Sequence, residues 1–152
     1  MSKRTARRVA ATALVAASVG SVLAVAAPAS AAASDRVAVL ATPACTKSIT
    51  YQGALVPASS GNSVNCHMQR GNVSDGVARL QDTLNDCYPN ELRRVGVYPL
   101  AIDRNFGGNT QRALTEVQRV SGTAADGVYG PNTRRAIRHV DPDFGDPCRR
   151  VS

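Results

Sequence analysis

The sequence has no tryptophan and few aromatic residues of any kind. The six that occur are Tyr51, Tyr88, Tyr98, Phe106, Tyr129 and Phe144. Proteins that bind sugars commonly use exposed aromatic rings, so this scarcity argues against a binding surface built on ring stacking. We expect Phe106 and Tyr129 to pack inside loops, in preference to serving as platforms for a ligand.

Histidine is also scarce, and only His67 and His139 occur. A zinc peptidase needs several histidine and acidic ligands, so no metal or other cofactor is predicted. Cys66 and His67 are adjacent, and neighbouring side chains of an extended segment point in opposite directions, which disfavours a thiol nucleophile with its base. His139 is predicted near the end of the last helix, with a ring that is solvated or interacts favourably with the helix dipole. No catalytic residues are therefore assigned.

The N-terminus has the features of an export signal. A basic start precedes a weakly apolar run over residues 9–27, and small residues follow Pro28 at the spacing that a signal peptidase recognises. We predict a signal peptide over residues 1–31. A membrane anchor is the alternative, but the run consists mainly of alanine, which contributes little to insertion. The pair Arg7-Arg8 leaves the choice between the general and the twin-arginine export routes open.

Removing that segment changes the charge of the protein. The whole chain has 18 basic and 11 acidic residues, net +7. Four basic residues and no acidic ones lie in the predicted signal, which leaves 14 basic and 11 acidic residues, net +3. This mild balance gives no support to nucleic-acid binding. It suits weak, salt-sensitive attraction to an anionic surface such as a bacterial wall.

All four cysteines lie in the mature part, at Cys45, Cys66, Cys87 and Cys148. An even number in a small exported chain predicts two disulfides. Three connectivities are possible, and we favour Cys45–Cys66 with Cys87–Cys148, because each bridge would then hold a stretch that has little core of its own.

Composition divides the mature chain into three parts. Residues 32–44 are predicted to be a flexible leader. Residues 45–72 are predicted to form a small disulfide-closed appendage, with a possible short β-hairpin in residues 49–56. Residues 73–148 are predicted to form the main domain. It begins with a helix from Ser74, its N-cap, to Tyr88, and a looser stretch follows from Glu91 to Ile102.

The main domain contains an internal repeat with an offset of 23 residues. Comparison of residues 103–117 with residues 126–140 gives seven identities in fifteen positions, against about one expected by chance. The identical residues of the first copy are Asp103, Gly107, Asn109, Thr110, Arg112, Ala113 and Val117.

Each copy has the composition of a loop that opens a helix. We predict turn roles for Asp103 and Gly107 in the first copy, and for Asp126, Gly127 and Gly130 in the second. The aspartate would bond the backbone of its own turn, the glycine would adopt a positive φ, and Asn or Thr would satisfy first-turn donors. Apolar residues on one face extend each helix to Val120 and Val140 respectively. The predicted fold is mainly α, a compact three-helix bundle with two equivalent loop–helix repeats plus the appendage.

Two stretches of sequence resemble the peptidoglycan-binding domain family. The first is Val77-x-x-Leu80-Gln81-x-x-Leu84-Asn85-x-x-Tyr88, similar to the first helix of that family. The second is Asp126-Gly127-Val128-Tyr129-Gly130-Pro131-Asn132-Thr133, similar to its DG-x-x-G-P-x-T loop. The resemblance covers residues 73–140 and implies a three-helix module found in exported wall hydrolases, where it holds the protein on peptidoglycan.

The chain departs from the family pattern at four positions. Arg104 and Gly108 replace the usual glycine and proline of the first loop. Val117 replaces an aromatic residue, and Arg134 lies where tryptophan is common. The last two changes remove aromatic surface from the module.

The resemblance implies a secreted, non-catalytic protein that binds peptidoglycan, through its glycan strand or its stem peptide. Carboxylates and amides of the stem peptide suit arginine and amide side chains, and the predicted binding set is Arg112, Gln118, Tyr129, Asn132 and Arg135. One alternative is a secreted protein–protein module, an inhibitor or scaffold whose partner is a wall hydrolase. A small wall-lytic enzyme is the third hypothesis. No stable membrane insertion is expected after signal cleavage.

Overall fold

The structure, a computed structural model, describes residues 42–143 and 148–152. The predicted signal peptide and all but the last three residues of the predicted leader lie outside the described residues. The elements are, in order, β1 Lys47–Tyr51, β2 Ala54–Ala58, α1 Asp75–Cys87, α2 Pro89–Arg94, α3 Gly108–Val120, α4 Pro131–Ala136, β3 Arg138–Val140 and β4 Cys148–Arg150. The described chain is thus mainly helical, with two small antiparallel strand pairs.

The β1–β2 pair is the short hairpin that the sequence suggests. Its register runs from Lys47 opposite Ala58 to Tyr51 opposite Ala54. The two turn residues, Gln52 and Gly53, have φ values of 50° and 79°, as a two-residue hairpin loop requires when both central residues are left-handed. All residues of β2 except Leu55 are buried, so this strand packs against the rest of the protein.

Two disulfides link the ends of this framework. Cys45 is bonded to Cys66, and Cys87 is bonded to Cys148, which is the pairing that the sequence argument favours. The first closes the hairpin and the loop after it. The second ties the end of α1 to β4, which lies 61 residues away in the chain.

Helix α1 begins where the capping pattern predicts. The Ser74 hydroxyl accepts a hydrogen bond from the Val77 backbone N–H at 3.2 Å, and it also donates to the Cys45 carbonyl oxygen at 2.9 Å. One side chain therefore caps the helix and attaches it to the disulfide-closed segment. Val77, Leu80 and Leu84 form the fully buried face of the helix, as their spacing predicts.

The core lies between α1, α2, α3 and the loops that precede α3 and α4. Leu92 of α2, Leu114 of α3 and both loop aromatics pack into the same cluster as α1. A second, smaller cluster lies under the hairpin and contains Ala54, Val56 and Val151. The protein is thus held by one main core and one satellite core beneath β2.

The stretch after α1 is more ordered than predicted. Pro89 occupies the first turn of α2, where its missing N–H costs nothing, and Leu92 anchors this short helix in the core. Arg94 of α2 then reaches Glu116 of α3 at 2.7 Å. Only the part after Arg94 is irregular.

The predicted helix to Val140 is wrong in its second half. Helix α4 ends at Ala136, Ile137 is extended with φ −93° and ψ 162°, and residues 138–140 form β3 against β4. The Tyr88 hydroxyl oxygen accepts a hydrogen bond from the Arg138 N–H at 2.6 Å. Because the Cys87–Cys148 bridge brings β4 to this place, strand pairing replaces the last turns of the helix. Over the described residues no helix combines the length and apolar character needed to cross a membrane.

Candidate functional site

Gln81 of α1 lies at the centre of one polar network. Its amide nitrogen donates to the Asp103 carboxylate at 2.8 Å, the Asn105 carbonyl oxygen at 3.0 Å and the Thr110 hydroxyl at 3.1 Å. Its amide oxygen accepts the Arg104 backbone N–H at 3.1 Å. The side chain is buried, and both ends of its amide are satisfied inside the protein. One residue of α1 therefore fixes the loop that leads into α3.

Gln118 of α3 makes the same contacts with the next loop. Its amide nitrogen lies 2.9 Å from the Asp126 carboxylate, the Val128 carbonyl oxygen and the Thr133 hydroxyl. Its amide oxygen accepts the Gly127 backbone N–H at 2.8 Å. Each partner of Gln118 lies 23 residues after the corresponding partner of Gln81. The two loops are thus held by equivalent hydrogen bonds.

The loop aspartates act as the sequence predicts. Asp103 accepts the backbone N–H of Asn105, and Asp126 accepts that of Val128, both at 2.9 Å. The hydrogen bond from Gln81, with that from the Asn105 N–H, lowers the pKa of Asp103. These carboxylates are turn residues that also bind the glutamine amide.

The predicted role of two loop glycines is wrong. Gly107 and Gly130 have φ values of −84° and −148° and sit at the N-caps of α3 and α4. The left-handed residues are instead Arg104 and Gly127, with φ values of 67° and 69°. A Cβ on Gly127 would lie 2.7 Å from the Gln111 side chain. Because Arg104 takes the same conformation in the first loop, the close approach of α3 is the stronger reason for glycine at 127.

The predicted capping by Asn or Thr is also wrong. Neither α3 nor α4 has a side-chain cap hydrogen bond. The hydroxyls of Thr110 and Thr133 instead donate to the loop carbonyl oxygens of Asn105 and Val128, at 3.4 and 3.1 Å. These threonines therefore close the loops onto the glutamines.

Each loop borders an open depression on the surface. The first has a volume of about 260 Å³ and the second about 140 Å³. The walls of the second are Thr123, Ala124, Asp126, Val128, Gly130, Pro131, Asn132 and Thr133. Each of these residues has a counterpart 23 positions earlier in the chain. Those counterparts line the first depression, together with Gln81. The two depressions offer similar hydrogen-bonding groups, since Asn109 and Asn132 occupy equivalent places.

The two loop aromatics are buried, as expected. Phe106 and Tyr129 are both 0% exposed. Burial raises the pKa of the Tyr129 phenol, so its hydroxyl stays protonated. Neither ring can stack on a ligand from solution.

The prediction of a solvated His139 is wrong. The residue lies in β3 and is fully buried, with its ring edge-on to Tyr129 at a centroid distance of 6.3 Å. Its Nε2 is 3.0 Å from the Arg134 carbonyl oxygen. Burial lowers the pKa of His139 to about 4, and the charge of Arg134 acts in the same direction. The imidazole is therefore a neutral core residue.

The predicted binding set is divided between the interior and the surface. Gln118 and Tyr129 are 0% exposed and so form no part of a surface. Arg112, Asn132 and Arg135 are exposed. Arg135 donates to the Asn132 side-chain oxygen at 2.5 Å, so these two residues form one polar feature of α4.

Sequence reasoning gave Gln81 no role of its own. It lies four residues after Val77 and three before Leu84, on the apolar face of α1, and an amide at such a position is a sign of a buried hydrogen-bond network. Arg150 was also missed. It lines a third depression with Arg135, Gln52, Val151 and Ser152, with a volume of about 360 Å³. Across residues 42–143 and 148–152, no group of three His, Cys, Asp or Glu side chains could hold a metal ion.

Comparison with known proteins identifies the segment that carries the two loops. A family model described as "Putative peptidoglycan binding domain" matches residues 73–137. N-acetylmuramoyl-L-alanine amidase CwlM of Mycobacterium tuberculosis (strain ATCC 25618 / H37Rv) is 41% identical over 63 residues, which are 41% of this chain and 14% of the amidase. This chain therefore spans only a small part of that relative.

One solved structure, "The crystal structure of SleB N-terminal domain", is 31% identical to this chain. The match covers 46% of this chain and 85% of that chain, with a TM-score of 0.36, too low for an argument from the superposition. The family match is the finding that locates the domain within the sequence. Residues 73–137 of the chain belong to the peptidoglycan-binding domain family.

Proposed function

We propose that this protein is secreted or wall-associated and binds bacterial peptidoglycan without catalysing a reaction on it. The observation that carries the proposal is the family match, because residues 73–137 contain both glutamine-held loops and both depressions that they border. The amidase shares only 63 residues with this chain. The shared part is therefore proposed to act as a binding module.

Within this proposal the domain contains two equivalent loop–helix repeats, in which the loops introduce α3 and α4, together with α1 and the short helix α2. Helix α1 packs against α3 and against β3, the strand that follows α4. The matching bonds of Gln81 and Gln118 support this view, because each joins one helix to the loop that follows in the fold. The repeats would then present two similar depressions to a polymer whose own units repeat.

The exposed groups suit the peptide part of the wall. Asn132 lines the second depression, and Arg112 and Arg135 hold equivalent places one turn into α3 and α4. Arginine binds carboxylates with two parallel hydrogen bonds, and asparagine can both donate and accept. We therefore assign Arg112, Asn132 and Arg135 to peptidoglycan binding, with the stem peptide as the part that they contact.

Export is supported by two features of the chain. The two disulfides are stable in an oxidising compartment and rare in the cytosol. The basic and alanine-rich start of the sequence has the order of a secretory signal. Both features support export to a compartment where peptidoglycan is accessible.

The test is co-sedimentation of the oxidised protein, from residue 32 onward, with peptidoglycan stripped of other wall polymers. We expect the wild type to pellet in a saturable manner. The triple variant Arg112→Ser, Asn132→Ala, Arg135→Ser should bind at least about tenfold more weakly, because each lost charged hydrogen bond costs about 1.5–3 kcal/mol before compensation by water.

Helix α2 provides a matched control. It begins Pro89-Asn90 as α4 begins Pro131-Asn132, and Arg93 donates to Asn90 at 3.1 Å in the same i, i+3 arrangement. The double variant Asn90→Ala, Arg93→Ser removes a similar exposed pair from a different helix and should bind as the wild type does. A wild type that stays in the supernatant would overturn the function. Equal binding by the triple variant and the control would overturn the assigned residues.

A protein–protein role is the second candidate. The relation to a segment of an amidase supports it, because a module of this family can occur in the same chain as a wall hydrolase. In that case the protein would bind an isolated amidase domain in solution and ignore stripped peptidoglycan. Isothermal titration with the amidase domain and sedimentation with the wall give opposite results for the two candidates.

A further inference from the structure

The depression lined by Arg135 and Arg150 lies mainly outside the family domain. Its floor is formed by the hairpin turn and the last three residues, and its volume is about 360 Å³. Of its lining residues, Arg135 alone falls within the segment that the family model matches. The function assigned to the family domain therefore leaves this place unexplained.

The backbone under Arg150 is held firmly. Val151 is buried against Ala54 and Val56 in the satellite core. The Ser152 N–H donates to the Gln52 side-chain oxygen at 2.8 Å, and Gln52 Nε2 donates to the Ser152 hydroxyl at 2.8 Å. Arg150 is thus projected from a fixed strand, which reduces the entropy lost when it binds a ligand.

The other polar groups of this depression are already used inside the protein. Both side-chain atoms of Gln52 bond to Ser152, and the Ser152 carbonyl oxygen accepts hydrogen bonds from the Tyr51 hydroxyl at 3.0 Å and from Arg134 at 2.9 Å. Within the described residues the Arg150 guanidinium has no hydrogen bond or ion pair. It is therefore a free cationic donor at the edge of a preformed depression.

The charge around the depression is positive. Arg134, Arg135, Arg149 and Arg150 all contact or line it. Among the described residues, both carboxylates beside them are already bonded, Asp141 to Arg149 at 2.6 Å and the Ser152 α-carboxylate to Tyr51 and Arg134, so the arginines remain in excess. A ligand that enters here meets a field that favours an anion. Guanidinium groups bind planar carboxylates especially well, because two parallel N–H donors of the guanidinium match the two acceptor oxygens of the carboxylate.

The depression is continuous with the proposed wall-binding surface. Asn132 lines the second loop depression, and its side chain bonds to Arg135, which lines the arginine depression. A polymer bound beside Asn132 would therefore also adjoin Arg135 and the depression that Arg135 lines. This continuity favours an acidic group of the same polymer over a separate anionic molecule.

We propose that Arg150, with Arg135, forms a carboxylate subsite that binds a free acid group of the peptidoglycan stem peptide. The proposal rests on the peptidoglycan-binding function and names the chemical group that an additional part of the chain recognises. It places a binding residue beyond the family domain, on a strand held against the hairpin.

The test compares two ligands and two single variants. The ligands are stripped peptidoglycan and the same material after its carboxyl groups have been converted to amides. The variants are Arg150→Ser and Arg70→Ser, the latter an exposed arginine that lines none of the three depressions. Because Arg150 is exposed, both variants should fold, and thermal unfolding checks this.

We expect Arg150→Ser to weaken binding to untreated peptidoglycan about tenfold, the loss of one charge-assisted pair, while Arg70→Ser has little effect. Amidation should weaken the wild type and Arg150→Ser alike at Arg112 and Arg135, and it should remove the difference between them, so that both bind the amidated material equally. If the wild type binds but Arg150→Ser and Arg70→Ser lose affinity equally, the subsite is overturned and the peptidoglycan-binding function is not. The subsite would also be overturned if Arg150→Ser weakened binding only to peptidoglycan that retains its phosphate-containing polymers. A wild type that ignores stripped peptidoglycan would overturn the function first.

Discussion

Gly76 lies directly against the Cys45 carbonyl group. A Cβ atom on Gly76 would come within 2.8 Å of that oxygen and 2.9 Å of its carbon, closer than such atoms approach in folded proteins. The first turn of α1 and the disulfide-closed segment are therefore in backbone contact. The N-terminal hairpin is packed on the family domain through this contact and through the bond from Ser74 to Cys45.

Replacing Gly76 with alanine should destabilise the protein. The change favours the helix by up to about 1 kcal/mol, but the clash is with backbone and cannot be relieved by a side-chain rotation. We expect a net loss of about 1–3 kcal/mol in the free energy of unfolding, measured by urea denaturation. Gly108→Ala is the control, because it lies in the first turn of α3 with open space around it. If both variants are equally stable, the close contact is not present in solution.

Removal of either buried glutamine should loosen one loop. In Gln118→Leu the buried Gly127 N–H loses its partner, and the Asp126 carboxylate and the Thr133 hydroxyl each lose one of their hydrogen bonds. We expect a loss of about 2–4 kcal/mol in unfolding free energy, because each buried polar group left unpaired costs about 1–3 kcal/mol and water recovers part of it. Gln81→Leu should cost a similar amount.

The same substitution at Gln69 is the control for the glutamines. Gln69 is exposed, and its side chain has no hydrogen bond among the described residues, so Gln69→Leu should change the stability by less than about 0.5 kcal/mol. Hydrogen exchange at residues 104 and 127 would show which loop opens in each variant. If both loops open to the same extent in either variant, the two glutamines do not hold their loops independently.

Local sequence patterns predicted the elements whose stability comes from nearby residues. The spacing of Val77, Leu80 and Leu84 and the cap at Ser74 determine α1. The turn at Gln52-Gly53 determines the hairpin. In both cases the residues that contact each other are close in the chain, so periodicity and turn chemistry carry the information.

Features that depend on distant residues were not predicted. Helix α4 stops at Ala136 because β4, brought there by the bridge to Cys87, pairs with residues 138–140. The burial of His139 follows from the same strand pair. Gln118 belongs to the predicted binding set because amide side chains suit the stem peptide, and its buried role becomes visible only when the partners of Gln81 are compared with its own. The Arg150 subsite joins residues about 100 positions apart.

Loss of the second disulfide should cost more than loss of the first. In a model where the bridge restricts the unfolded chain, the loop of 61 residues gives about 1 kcal/mol more stabilisation than the loop of 21. The double variant Cys87→Ser, Cys148→Ser should also release β4 and expose His139. We expect a loss of about 3–5 kcal/mol in unfolding free energy, and about 1 kcal/mol less for Cys45→Ser, Cys66→Ser. The reverse order would show that hairpin packing, and not chain entropy, dominates.

The stability of the protein should fall as the pH drops from 6.5 toward 4. Burial lowers the pKa of His139 to about 4 from the 6.5 expected in the unfolded chain. Between these values the unfolded state binds more protons, so the stability from the neutral ring is fully present above pH 6.5 and declines toward pH 4. The decline should total about 3 kcal/mol, measured by urea denaturation at several pH values.

A second decline at lower pH has a different origin and provides the internal control. The hydrogen bond from Arg119, reinforced by Arg94, lowers the pKa of Glu116 to about 2, so its contribution is present above pH 4.5 and disappears as the pH falls toward 2. His139→Gln can still donate to the Arg134 carbonyl oxygen but cannot titrate. It should be less stable than the wild type at pH 7.5, have a flat profile from pH 6.5 to 4.5, and keep the lower decline. If His139→Gln still loses stability between pH 6.5 and 4.5, another group causes that decline and the buried imidazole does not.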